Sequence, residues 1–247
     1  AASIQPHACF ARTRRVTHGG MDPSMLPAGR PPEDRPLYRD ACRAAHAMDI
    51  VGQRWAVPVM RELMLGPRRF SEIENNVFGI SEAALAQRLA SLEAAGVLTR
   101  QALPPPLSDE IYELTDWGYA AEPMIQEIGR WAAMSAQHDP TLPLSPVSLM
   151  LSLRTMFDPA KAQGLSMRIG FLFPDAEFVA DLGGGELHVV RDAPERCDAT
   201  FSAQAAPALA AMFYGGVPPE EVGVTIEGDA DAAKRFIDIF ELPEKIG

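Results

Sequence analysis

Gln87 and Arg88 are adjacent long polar side chains, and each can offer two coplanar hydrogen bonds, Gln to adenine and Arg to guanine. They lie in SEAALAQRLASLEAAG, residues 81–96, where Leu85, Leu89 and Leu92 recur at helical spacing and must face a core. The opposite face carries Glu82, Ala83, Ala84, Gln87, Arg88 and Ser91, with Ser81 suited to cap the helix start. Small residues such as Ala84 at that start let the helix end approach bases and phosphates. The chemistry implied is recognition of double-stranded DNA, with Arg68, Arg69 and Arg100 as further contacts, the arginine pair suited to phosphate. A solvated amphipathic helix would show the same face, so the neighbouring elements decide between the two readings.

Cys42 is the other reactive candidate. It stands near a helix start beside Arg43, with His46 one turn on, a setting that can lower a thiol pKa. An ordinary buried cysteine fits the same residues. Cys9, Cys42 and Cys197 are an odd number at wide spacing, which makes neither a disulfide framework nor a metal knuckle and suits a reducing cytoplasm. Gly183-Gly184-Gly185 lacks the Lys and Ser/Thr of a phosphate loop and reads as a hairpin turn. Asp175, Asp181 and Asp198 read as turn residues and surface charge. No Ser-His-Asp set, paired acids or HExxH motif occurs, so the sequence gives no support for an enzyme, a metal or a cofactor.

The elements that would position Gln87 and Arg88 are legible around them. Small and apolar residues predict a helix over Asp40–Val51, and Gly52 breaks it. Another helix runs over Arg54–Leu65 with Pro58 in its first turn, stopped by Gly66-Pro67. Phe70–Asn76 reads as a short helix and 76–80 as a turn into the helix that Gly96 closes. Val97–Ala102 and Glu110–Leu114 read as strands around the tip LPPPLSD. This order is a helix-turn-helix with a wing, which lays one helix in the major groove and a ribbon beside it. Thr115 then caps a long helix, kinked by Pro123, whose Trp117, Ala121, Met124, Ile128 and Trp131 form a seam for a partner helix. A homodimer on a pseudo-palindromic operator follows from that seam.

The net charge of −11 looks unfavourable for DNA until it is divided. Residues 1–140 hold 14 Arg against 17 acids, residues 141–247 hold 8 Lys+Arg against 16, and the segment 41–100 is slightly positive with 7 Arg against 6 acids. No apolar run reaches the roughly 18 residues of a membrane helix, so no membrane partner is expected. Residues 1–36 read as a leader and Pro/Gly-rich tail, 37–139 as the DNA-binding and dimerisation domain, and 140–147 as a proline-rich linker. Residues 148–247 change pattern: Leu149–Phe157 reads as helical or mixed, Met167–Phe173, Glu177–Leu182, Ala199–Ser202 and Val222–Glu227 as strands, and Pro207–Tyr214 and Asp229–Phe240 as helices. The fold class is α+β, a winged helix-turn-helix followed by a small α+β domain.

Residues 42–131 resemble the HxlR-type winged-helix regulators, related in plan to MarR proteins. The matching stretches are Cys42 with AMDIVGQRW, RRFSEI, GISEAALAQRLASLEAAGVLTR and YELTDWG, with Pro123 eight residues after Thr115. The resemblance implies a homodimer through the first and last helices, with Ser81, Gln87 and Arg88 on the recognition helix. It also implies that Cys42 holds the position of a redox or electrophile sensor in some such regulators. Asp109 and Glu110 replace the basic wing tip that such proteins often carry. The second half is similar to sterol carrier protein-type domains through GGGELHVVRD, CDATFSAQ and VTIEGDADAAKRFIDIF. That implies an open sheet with helices over an apolar tunnel, lined by Leu209, Met212, Phe213, Phe236, Ile239 and Phe240. The same residues would serve equally as plain core. The leading expectation is a cytoplasmic dimeric regulator that senses a hydrophobic small molecule. The alternatives are control through Cys42, or a lipid-binding or interaction protein whose helix-turn-helix no longer binds DNA.

Overall fold

Gly52 and Gly66-Pro67 cut the first part of the chain into short helices, and the structure follows those cuts. The computed structural model describes residues 38–102 and 110–246. The expected leader, Cys9, the hairpin tip LPPPLSD and Asp109 lie outside the described residues. Helix α1 spans Arg43–Val51 and α2 spans Ala56–Leu63, each shorter than expected: α1 begins only after Cys42, and a turn over residues 52–55 delays the start of α2. Beyond Gly66-Pro67 a strand absent from the sequence reading, β1 (Arg68–Arg69), precedes α3 (Phe70–Asn76) and α4 (Glu82–Ala94). The wing is β2 (Leu98–Ala102) and β3 (Glu110–Leu114), and β1 adds to its edge in the order β1-β3-β2, with Arg68 opposite Tyr112. Two residues have no alternation to read, so β1 exists only through its partner. Leu63, Ile73, Leu85, Leu89, Leu92, Leu98 and Leu114 close the core of this half, each worth about 2 kcal/mol of burial.

The long helix expected after Thr115 is two helices. Thr115 Oγ1 accepts the Gly118 N–H at 3.1 Å and donates to the Gly96 carbonyl at 2.9 Å, which starts α5 (Asp116–Tyr119) against the end of α4. Gly118 is required there, since a Cβ would stand 2.1 Å from the Val97 carbonyl oxygen. The chain then turns, and α6 (Glu122–Ala133) begins afresh with Pro123 in its first turn. Pro123 therefore starts a helix, where its missing N–H costs nothing, rather than kinking one.

Helix α7 (Pro146–Met156) joins the halves. Ser145 caps it through the Ser148 N–H at 3.0 Å, and Val147, Leu149, Met150, Leu151 and Leu153 are buried against α2 and α6 on one side and the C-terminal elements on the other. The stretch expected as a linker thus ends inside a docked contact, with Ser145 fully buried. Beyond it lie β4 (Met167–Phe173), β5 (Ala176–Gly183), β6 (Glu186–Val190), β7 (Ala199–Ser202), α8 (Ala206–Gly215), α9 (Pro219–Val222), β8 (Thr225–Gly228) and α10 (Ala230–Ile237). The sheet order is β6-β5-β4-β7-β8, with β4 and β7 parallel and the other pairs antiparallel. The triple glycine is a two-residue hairpin turn, Gly184 at φ 63 and Gly185 at φ 82, with Gly183 opposite Glu186. Residues expected to begin the last strand at Val222 instead end α9, so β8 starts at Thr225. No helix among the described residues is long and apolar enough to cross a membrane.

Candidate nucleic-acid interface

Helix α4 is held from below by Leu85, Leu89 and Leu92, all at most 1% exposed. At its start the Ser81 hydroxyl accepts the Ala84 N–H at 3.3 Å, as a capping serine should. That anchoring leaves Glu82, Ala83, Ala86, Gln87 and Ala90 exposed, with Ala84 and Arg88 half-buried. The outer face is therefore low in profile around Gln87, a shape that admits a groove.

The expected arginine contacts divide. Arg88 turns back from the groove face: its Nε donates to the Arg54 carbonyl at 3.1 Å and its Nη1 to Gln53 Oε1. Partial burial holds its guanidinium pKa below the ordinary value. Arg68 is a correction. It is 6% exposed and paired with Glu72 at 3.2 Å, because pairing of β1 with β3 turns its side chain inward, so it does not present a phosphate contact. Arg69 is exposed, and its backbone N–H donates to Glu72 Oε2 at 2.8 Å, which starts α3. Arg100 lies across the wing between Glu110 at 3.2 Å and Glu93 at 3.8 Å, and Glu110 also accepts from Tyr112 Oη at 3.0 Å. Glu110, with Glu93, raises the Arg100 pKa. The acidic start of β3 thus neutralises the wing's own arginine.

On the far side, Trp117, Ile128 and Trp131 are exposed at 55%, 44% and 76%, while Ala121 and Met124 are half-buried. The seam is split over α5 and α6, and Trp131 and Ile128 share the outer face of α6. Met48 of α1 is 45% exposed. Cys42 immediately precedes α1 and is exposed, its N–H donating to Asp40 Oδ1 at 2.9 Å. The backbone N–H groups of Ala45 and then Ala44 hold its thiol pKa below the usual value.

Leu209, Met212, Phe213, Phe236, Ile239 and Phe240 are all buried under the C-terminal helices. Phe213, Phe236 and Phe240 pack on one another and on Phe171 and Phe201 of the sheet, with ring centroids 5.0 to 6.5 Å apart. They fill their own layer. Two features escaped the sequence reading: the Gln53–Trp55 turn that receives Arg88, and the buried Glu62 carboxylate that accepts from Ser145 at the start of α7. The run GQRW did carry a signal for the first, a polar pair wedged between a helix break and a tryptophan.

Comparison with known proteins bears on residues 50–140, which match the HxlR-like helix-turn-helix family. The HTH-type transcriptional regulator YvaP of Bacillus subtilis is 39% identical over 90 residues, 36% of this chain and 83% of that protein. YodB of the same organism, also an HTH-type transcriptional regulator, is 40% identical over 86 residues, 35% of this chain and 77% of YodB. Among solved structures, the reduced form of YodB aligns at 35% identity with a TM-score of 0.36, covering 40% of this chain and all of that one. The quinone-bound form of YodB aligns at 36% identity with a TM-score of 0.33, covering 36% and 94%. Through this segment the chain belongs to the HxlR-like helix-turn-helix family of transcriptional regulators.

Proposed function

We propose that the chain binds double-stranded DNA as a homodimer on a pseudo-palindromic site, in the cytoplasm, and that its C-terminal half adjusts this binding in response to a hydrophobic small molecule. The observation that carries the DNA reading is the low outer face of α4, with Gln87 exposed above three buried leucines. The exposed Trp131 and Ile128 of α6 support a second copy as the partner. The open sheet roofed by α8 and α10 supports the ligand, which would enter by parting the aromatic layer that those helices now close. Such a ligand must favour one DNA-binding state by about 1 to 3 kcal/mol. Selection from a random duplex pool, followed by titration across salt and sedimentation of the free protein, tests the reading. Enrichment of a two-fold symmetric site, bound less tightly as salt rises, is expected; no enrichment by a folded protein would sink it.

A second reading has its own observation. Cys42 is exposed at the opening of α1 with its pKa lowered by backbone N–H groups, and its relative YodB is known in a quinone-bound form. In this reading oxidants or electrophiles act at Cys42 and the second half serves assembly. Loss of all oxidant response in Cys42→Ser would support it, and an unchanged response would remove it.

A further inference from the structure

The turn between α1 and α2 is held under strain by the recognition helix. Trp55 sits at φ 74, a left-handed conformation that costs a bulky residue on the order of 1 to 2 kcal/mol and persists only where its surroundings enforce it. Three contacts enforce it here. Arg88, in the middle of α4, donates to the Arg54 carbonyl and to the Gln53 side chain. The Arg54 guanidinium lies 4.7 Å from the centroid of the Trp55 ring. The same ring reaches the α3–α4 turn, where a Cβ on Gly79 would stand 3.8 Å from it. The turn is therefore fixed beside both the start and the middle of the helix that faces DNA.

Arg54 is exposed, and among the described residues no carboxylate pairs with it. Three other arginines expected to contact DNA are committed elsewhere: Arg68 to Glu72, Arg100 to Glu110 and Glu93, Arg88 to the turn itself. A guanidinium stacked on an indole face keeps its in-plane N–H groups free, the geometry that binds phosphate in a fork. The stack also fixes the side chain in advance, so little rotamer entropy remains to be lost on binding.

We infer that the Gln53–Trp55 turn is a phosphate clamp, in which Arg54 grips the DNA backbone beside the groove entered by α4 and Arg88 is a positioning residue rather than a reader of bases. This rests on the regulator reading and adds to it a contact from the turn between α1 and α2, outside the recognition helix and the wing strands. It also explains how a chain with an acid-neutralised wing arginine and a buried Arg68 can still hold a backbone.

The test uses the full chain with two duplexes, the one enriched from the random pool and a scrambled duplex of equal length. Arg54→Gln should weaken both by a similar factor, roughly tenfold, and lower the slope of log affinity against log salt by about 0.9, one phosphate contact. Arg54→Lys should restore that slope. Arg88→Leu should weaken both duplexes alike, and combining it with Arg54→Gln should cost less than the product of the single losses. The clamp is overturned if Arg54→Gln leaves affinity and slope unchanged, or if Arg88→Leu alters preference at one base position. A lowered melting temperature would not by itself reproduce the slope change. Wild-type protein that binds neither duplex would remove the regulator reading and the clamp with it.

Discussion

At the scale of single residues, type was legible and partner was not. Leucine spacing alone placed Gln87 outward on α4, and the structure keeps it exposed. Gln87→Ala should therefore relax preference at one base position at a cost of about 1 to 3 kcal/mol in binding, with thermal stability unchanged; selection repeated with the variant would show it, and an unaltered preferred sequence would count against base reading by Gln87. Ser81→Ala removes the acceptor for the Ala84 N–H and should cost about 1 kcal/mol of folding stability by denaturant titration. Arginines were harder to read. Arg68, Arg88 and Arg100 are alike in sequence, yet one is buried by a two-residue strand, one is folded onto a turn 34 residues away, and one is neutralised across the wing. Each outcome depends on a contact distant along the chain, which local pattern does not encode.

At the scale of elements, punctuation was read well and continuity poorly. Glycine and proline gave the breaks before α2 and α3, and Ser81 gave the start of α4. The run from Thr115 to Trp131 carries an unbroken apolar rhythm, so it reads as one helix. What divides it is the close approach of Gly118 to the Val97 carbonyl, a tertiary constraint that pins α5 to the wing and forces α6 to begin again. The division matters for assembly, because it leaves Ile128 and Trp131 on a helix of their own. Trp131 is 76% exposed, so Trp131→Glu should leave the melting temperature of the isolated protomer within about a degree. If α6 pairs with a second copy, the same substitution should weaken the dimer by 2 kcal/mol or more, the loss typical of a central aromatic anchor. Sedimentation across concentration would register this, and an undisturbed association would move the interface elsewhere.

At the scale of the whole molecule, the two halves share a packed helix and a buried set of charges. The segment VSLMLSL of α7 is mostly apolar and buried on nearly every side, as suits a helix lying between two layers, and Arg154 of the same helix pairs with Glu122 of α6 at 2.9 Å. Glu62 of α2 is 1% exposed and takes the Ser145 hydroxyl at 2.6 Å and Arg61 at 3.0 Å on one carboxylate oxygen, while its other oxygen has no partner. Facing this contact from the end of β6 is Arg191, stacked 4.7 Å from the centroid of the Phe178 ring, with Nε and Nη2 buried and unbonded. Burial, then the nearby Arg68, lowers its pKa to about 10, against the opposing pull of Glu72, Glu62 and Asp175. Because the folded value lies below the ordinary one, the fold disfavours the charged form, and at neutral pH the whole penalty is present. Allowing for its partial exposure, that penalty is on the order of 1 to 2 kcal/mol. Arg191→Met keeps the packing on Phe178 and removes the charge, so it should raise stability by about 1 kcal/mol, a rise of roughly 2 to 4 °C in melting temperature for a chain of this size. A fall instead would mean that the guanidinium offsets the buried Glu62 carboxylate across the contact. Glu62→Gln made in the Arg191→Met background would then recover the loss, and the charges would be a clasp that fixes the second half against the helix-turn-helix rather than a residual strain in the interface.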